Sequence, residues 1–184
     1  TTKDVRDSSP LVLSITNDRV QPDHQTMQLS KVVPQMLTPF HLAFQVRDID
    51  EARDFYGIKM GLPEGRSDTM WIDYNMFGHQ VVAHLNPTLG PNGKVASHCN
   101  PVDEHAVPVP HFGVVLEVDE WKRLSERVRT FVDDFIIEPY VRFQGQPGEQ
   151  YTMFFEDPSG NALEFKAFAN IEAELFATTK ENQA

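Results

Sequence analysis

Three side chains stand out for the chemistry they could share: His41, His111 and Glu164. Each histidine opens a short apolar run behind a proline-containing lead-in, His41-Leu-Ala-Phe-Gln-Val46 and His111-Phe-Gly-Val-Val-Leu116, and the two runs lie 70 residues apart. Glu164 sits between Leu163 and Phe165, so strand alternation puts its carboxylate on the face opposite those two neighbours. An unpaired buried charge is costly, and a metal, an arginine or a hydrogen-bond network would each relieve it. Taken singly, either histidine reads as a capped or surface residue. Two imidazoles and one carboxylate on a common face, with positions left open, suit Fe(II) and other borderline divalent cations such as Mn, Ni, Co or Zn.

The elements around these residues repeat. The first run is followed by a helical pattern from Asp48 to Tyr56, with an apolar stripe of Ile49, Ala52, Phe55 and Tyr56. The second is followed by Asp119 to Phe131, with Trp121, Leu124, Val128 and Phe131 as its stripe. Strand-like pieces come next: 69–74 and 80–85 in the first half, and 136–143, 150–155 and 162–168 in the second. Asp157-Pro-Ser-Gly-Asn161 has the composition of a tight turn. Each half therefore reads strand, helix, strands. The expected organisation is an arm at 1–38, a first βαβββ module at 39–86, a proline-rich linker or lid at 87–109 with no regular element, a second module at 110–170 and a tail helix at 171–184.

Composition narrows the partners. The 184 residues are 40% hydrophobic and 23% charged, an ordinary globular balance. A net charge of −11 argues against nucleic-acid and anionic-membrane partners, and no apolar run approaches the roughly 20 residues that span a bilayer. The single cysteine, Cys99, allows no intrachain disulfide, so no oxidising compartment is required. Residues 1–38 carry no signal-peptide core and read as an arm or a targeting remnant. The expected location is cytoplasmic or organellar, not secreted.

Three stretches carry a family resemblance: Pro39-Phe-His41-Leu-Ala-Phe-Gln-Val46 with Ala52-Arg-Asp-Phe-Tyr56, Pro110-His111-Phe-Gly-Val-Val-Leu116, and Phe155-Glu-Asp-Pro-Ser-Gly-Asn-Ala-Leu-Glu164-Phe. Over residues 37–170 the chain resembles the vicinal oxygen chelate superfamily of glyoxalase I, bleomycin- and fosfomycin-resistance proteins and extradiol dioxygenases. It is most similar to a subgroup described as predicted extradiol-type dioxygenases. The resemblance implies an α+β fold in which two βαβββ modules form a U-shaped, partly closed mixed sheet around one divalent metal per chain, with helices outside. It implies His41, His111 and Glu164 as ligands, a small substrate binding through two neighbouring oxygens, and a homodimer. The linker is long enough for the two modules of one chain to pack together, so a site within one chain is expected.

The fourth corner departs from glyoxalase I, where the last strand of the first module usually offers an acid. Gln80-Val-Val-Ala-His-Leu85 has none. If Gly78 aligns with Gly160, Val82 matches Glu164 and His84 lies one rung further on the same face. His84 reads as a fourth ligand, an acid/base near the substrate, or a structural histidine. Tyr151 is a candidate to orient or protonate a bound oxygen, or else a half-buried sheet tyrosine. Arg142 would pair with a substrate carboxylate or with Glu138, and His98 and His105 lie in the possible lid. The functions in view are an extradiol-like ring-cleaving dioxygenase, a glyoxalase, isomerase or lyase using a redox-inert metal, and a small-molecule binding protein of the bleomycin-resistance type.

Overall fold

In the computed structural model, residues 38–102, 105–146 and 148–176 are described; residues 1–37 of the arm expected at 1–38 and 177–184 of the tail helix expected at 171–184 lie outside them. The first module begins with β1 (His41–Val46), which runs parallel to β4 (His79–Leu85). β3 (Trp71–Met76) and β2 (Glu64–Asp68) continue the sheet antiparallel, in the order β1-β4-β3-β2. β3 turns into β4 through Phe77 and Gly78, both at positive φ (50° and 91°), the backbone that a tight two-residue hairpin needs. β2 is polar and exposed along its whole length. It has no apolar alternation to read from sequence, and its charge suits an open sheet edge.

The helix after β1 starts where expected. Asp48 caps it by accepting from the Glu51 amide at 2.8 Å. It is α-helical only over α1 (Ile49–Ala52), and Arg53–Lys59 widen into a π-helix that closes with Met60 N–H on the Phe55 carbonyl at 2.8 Å. The adjacent residues Phe55 and Tyr56 are both buried.

The second module repeats the plan. β7 (His111–Phe112) and β8 (Val115–Leu116) pair parallel with β11 (Ala162–Phe168) in one continuous register, and β10 (Gln150–Glu156) and β9 (Phe135–Arg142) follow antiparallel. α2 (Val118–Val128) buries Trp121, Leu124 and Val128, and the Trp121 indole N–H donates to the Phe165 carbonyl at 2.8 Å. α3 (Ile171–Glu174) is capped by Asn170. The fold is the expected mixed α+β arrangement with no closed barrel among the described residues. No helix there is long and apolar enough to cross a membrane.

The stretch expected to be irregular holds a hairpin. β5 (His98–Val102) pairs antiparallel with β6 (His105–Val109), and Val107 packs with Ile137, Phe154 and Ala162 of the second sheet. Its prolines read as strand breakers, yet a two-stranded ribbon has free edges where a missing N–H costs little.

The two modules lock together where the most distinctive motifs meet. The buried Tyr56 hydroxyl donates to Asp157 at 2.8 Å. Asn161 donates to the same carboxylate from its backbone N–H and its side-chain amide, each at 2.8 Å. Asn161 also reaches the Gln45 carbonyl at 2.9 Å, and the Arg47 amide donates to Ser159 Oγ at 3.0 Å. Arg127 from α2 donates to the Lys59 and Ile58 carbonyls at the end of the first helix, a favourable place for a cation.

Burial pushes the Asp157 carboxyl above its usual range, against the pull of its donors. With the folded value above the unfolded one, stability tied to this group is present at low pH and falls as pH rises through the folded value. Tyr56→Phe removes a donor that favours the ionised form. It should cost about 1–3 kcal/mol near neutral pH, the range for hydrogen bonds to charged groups and for polar groups left unmade. The cost should shrink as Asp157 becomes protonated. Urea denaturation at several pH values reads both, and a loss that does not depend on pH would separate Tyr56 from Asp157.

Candidate metal centre

Each proposed histidine has its proton position fixed by its neighbours. His111 Nδ1 lies 2.7 Å from the Pro108 carbonyl, which can only accept, so Nδ1 carries a hydrogen and Nε2 is the ring nitrogen turned to Glu164. His41 reaches the same state through two steps. Gln80 Nε2 donates to Asp73 at 3.0 Å, which turns Gln80 Oε1 toward His41 Nδ1 at 2.8 Å. Asp73 also accepts from Arg66 at 3.3 Å. Carbonyl, amide or carboxylate partners on Nδ1 with Nε2 left to bind are the usual support of a histidine ligand.

Glu164 stands beside His111, with Oε2 3.3 Å from His111 Nε2. A carboxylate facing an imidazole lone pair repels it unless a proton or a cation lies between. Its other oxygen, Oε1, accepts from Thr152 at 3.2 Å and from Lys166 at 3.2 Å. The Phe154 ring stands edge-on to His111 with centroids 4.8 Å apart. The donor types of His111 and Glu164 fit a divalent cation.

His41 is on the other sheet. β11 sets Ala162 beside His111, while the adjacent Asn161 bonds Gln45, so His111 is level with the far end of β1. His41 lies four residues back, at the other end of β1. Among the described residues no three His, Cys, Asp or Glu side chains gather around a common point. The described residues of one chain thus do not bring the three expected ligands to one point. The modules meet with the end of β1 beside the start of β7 and β11, which carries the two histidines away from each other. Each sheet presents a half-set: His41 with Gln80 and Asp73, and His111 with Glu164.

The other candidates divide. The register pairs Ala43 with Val82 and places Glu164 level with Gly113, so Val82 does match Glu164 and the fourth corner is apolar. His84 pairs with Gln45 and lines a recess of about 520 Å³ whose other walls include Ser97, His111, Phe112 and Asn161. It is His84, not His41, that shares a recess with His111 in this chain. Tyr151 is not at the site. Even-numbered residues of β10 face Glu164, and Tyr151 turns to α2, where it packs on Trp121 (5.4 Å between centroids) and under Lys122. His98 bonds Asn100 and Cys99 is exposed. His105 and Arg142 line a smaller recess with Glu164.

Gln80, Asp73, Thr152 and Lys166 went unnoticed in the sequence. The tight turn centred on Ser159 carried a signal for two of them. Folding the strands about it pairs 152 with 166 and 154 with 164, as observed.

A family model for the Glyoxalase/Bleomycin resistance protein/Dioxygenase superfamily matches residues 38–165. A solved glyoxalase/bleomycin resistance protein/dioxygenase from Alicyclobacillus acidocaldarius is 31% identical, with 74% of this chain and 95% of that one covered and a TM-score of 0.58. A genomically encoded fosfomycin resistance protein from Listeria monocytogenes has a similar fold at 14% identity, with 75% and 98% covered and a TM-score of 0.53. No curated protein matches by sequence.

Proposed function

The chain belongs to the glyoxalase/bleomycin resistance protein/dioxygenase superfamily, and from that premise we propose that it is a metal-dependent enzyme acting on a small compound with two neighbouring oxygens. The observation that carries this reading is the approach of His111 Nε2 to Glu164 Oε2 at 3.3 Å, with His111 Nδ1 committed to a carbonyl. His41, Gln80 and Asp73 supply a second prepared imidazole. The site is completed across a two-fold axis, with His41 of one copy meeting His111 and Glu164 of another. Exposed apolar residues support this arrangement, because Phe40 flanks His41 while Val102 and Tyr140 border the recess of Glu164.

Two imidazoles and one carboxylate leave several positions open on the ion, and a donor set of this kind suits Fe(II). The favoured chemistry is ring cleavage of a catechol-like substrate of the extradiol type. When bound, the metal supplies Lewis-acid activation of the substrate oxygens. Gln80 and the Pro108 carbonyl orient the two imidazoles and Phe154 walls the site, and His84, which lines a recess with His111, would hold or move a proton.

The test is reconstitution with Fe(II) under argon, then catechol-type substrates and an oxygen electrode, beside metal analysis of protein purified without added metal. The expected result is one iron per chain and oxygen uptake that depends on substrate. Glu164→Ala should lower metal affinity at least about 10-fold, as loss of ligand-shell groups does elsewhere. Full iron loading without uptake on any catechol would remove the dioxygenase chemistry. Turnover under argon with a redox-inert metal would assign an isomerase or lyase instead.

A further inference from the structure

An acid does stand beside the apolar fourth corner, one strand over. Val82 matches Glu164, and its partner across the antiparallel pair of β3 and β4 is Asp73. Directly paired residues share a sheet face, so the Asp73 carboxylate is on the face that carries Gln80 and His41. In the second module the equivalent of Asp73 is Phe154, the partner of Glu164. Acid and apolar residue have thus changed places between the halves. Asp73 is buried, and β2 makes room for it. That strand bulges between Glu64 and Ser67, and a Cβ added to Gly65 would lie 3.2 Å from the Asp73 Cβ.

A buried carboxylate needs donors, and two reach Asp73 Oδ2. One is Arg66 at 3.3 Å, whose side chain is 80% exposed, so solvent screens that pair. The other is the Gln80 side-chain amide at 3.0 Å. An ionised carboxylate accepts and never donates. It therefore takes the Nε2 end of the amide and leaves Oε1 to face His41 Nδ1 at 2.8 Å. An amide turned over would set Nε2 against His41 Nδ1 and shift the ring hydrogen to His41 Nε2. A neutral imidazole in that state has no lone pair on Nε2 for a cation. His111 has no such relay. Ala162 stands beside it where Gln80 stands beside His41, and the Pro108 carbonyl, which cannot turn over, takes that part.

We propose that Asp73 is a positioning residue: it fixes the Gln80 amide and, through it, holds the His41 hydrogen on Nδ1 with Nε2 free to bind. The first module then keeps its acid behind the histidine, not among the ligands. The role toward a metal rests on the proposed metal reading, whereas the place of the hydrogen is read in the metal-free chain.

Proton–nitrogen NMR of the imidazole rings in the metal-free full chain makes the test, at about pH 8, where an ordinary histidine is neutral. His41→Asn identifies the His41 signals. In the wild type the Nδ1–H form of His41 should outnumber the Nε2–H form by at least about 10-fold, the bias of one hydrogen bond. Asp73→Asn keeps the side-chain shape but lets the amide turn over, so the ratio should fall to about 3-fold or less. Adding Gln80→Glu to that variant puts a carboxylate, which accepts in either orientation, against Nδ1. The ratio should return to at least about 10-fold, a rescue that a merely structural role for Asp73 would not give. The His111 ring should keep its state throughout. Metal affinity should fall by about 10-fold in Asp73→Asn. A wild-type His41 with its hydrogen mainly on Nε2, or a ratio that Asp73→Asn leaves unchanged, would overturn the assignment. The expected ratios in a chain that takes up no metal would leave the relay standing and remove the metal reading.

Discussion

Mixing His41→Ala chains with Glu164→Ala chains restores metal binding that neither variant has alone. The expectation follows from the absence, among the described residues, of any three-ligand cluster within the chain. In a two-fold dimer each site takes His41 from one copy and His111 with Glu164 from the other. A mixed dimer then has one intact site, built from His41 of the Glu164→Ala chain and His111 with Glu164 of the His41→Ala chain. Its other site lacks both ligands. Random pairing makes half the dimers mixed, so about a quarter of wild-type sites return. The two chains are unfolded and refolded together, and tightly held metal per chain is counted, which needs no knowledge of the substrate. No recovery above the separate variants, in a preparation shown to contain mixed dimers, would place the whole site inside one chain and remove the two-fold arrangement.

The legible part of this protein was what repeats. Two histidines at matching strand starts, two amphipathic stripes and a tight Asp157–Asn161 turn were enough to lay out both modules. They also aligned Val82 with Glu164, which the register confirms. What stayed hidden lacked an apolar signature. β2 is held by its pairing with β3 and buries no side chain. The β5–β6 hairpin contains three residue pairs free of proline, and Val107 anchors it although prolines sit on both strands. The sequence also told which residues occupy equivalent places without telling how far apart packing would hold them. That distance depends on how the modules abut through Gln45, Asn161, Arg47 and Ser159, contacts between side chain and backbone that no periodicity announces. Of the two readings open for Tyr151, the structure fits the half-buried sheet tyrosine. Its neighbours Gln150 and Thr152 hold the strand's pocket face, and strand parity gives the odd residue to α2.

The largest stability effect should come from a residue with no side chain. Gly113 lies between β7 and β8, level with Glu164 across the parallel ladder. A Cβ built there would stand 1.8 Å from the Glu164 carbonyl oxygen and 2.7 Å from its carbon. Both are backbone atoms inside a sheet, so no rotamer change can make room. Gly113→Ala must push β7 and β8 away from β11 by more than about 1 Å, since ordinary carbon contacts lie near 3.5 Å. That loosens the pairing of His111 with Ala162 and the bond from the Lys166 amide to the Val114 carbonyl at 3.2 Å. Overpacking with loss of one or two buried hydrogen bonds should cost about 3 kcal/mol or more. The same displacement parts His111 from Glu164, so metal affinity should fall with stability although neither ligand is altered. The equivalent position in the first module is Ala43, opposite Val82, where a Cβ is already accommodated. Ala43→Gly should cost only about 1 kcal/mol through backbone freedom. Urea denaturation of the two variants side by side makes the comparison. A Gly113→Ala loss under about 1 kcal/mol, within the range of an ordinary surface change, would mean that the strand bearing His111 does not approach Glu164 as closely as the half-set requires.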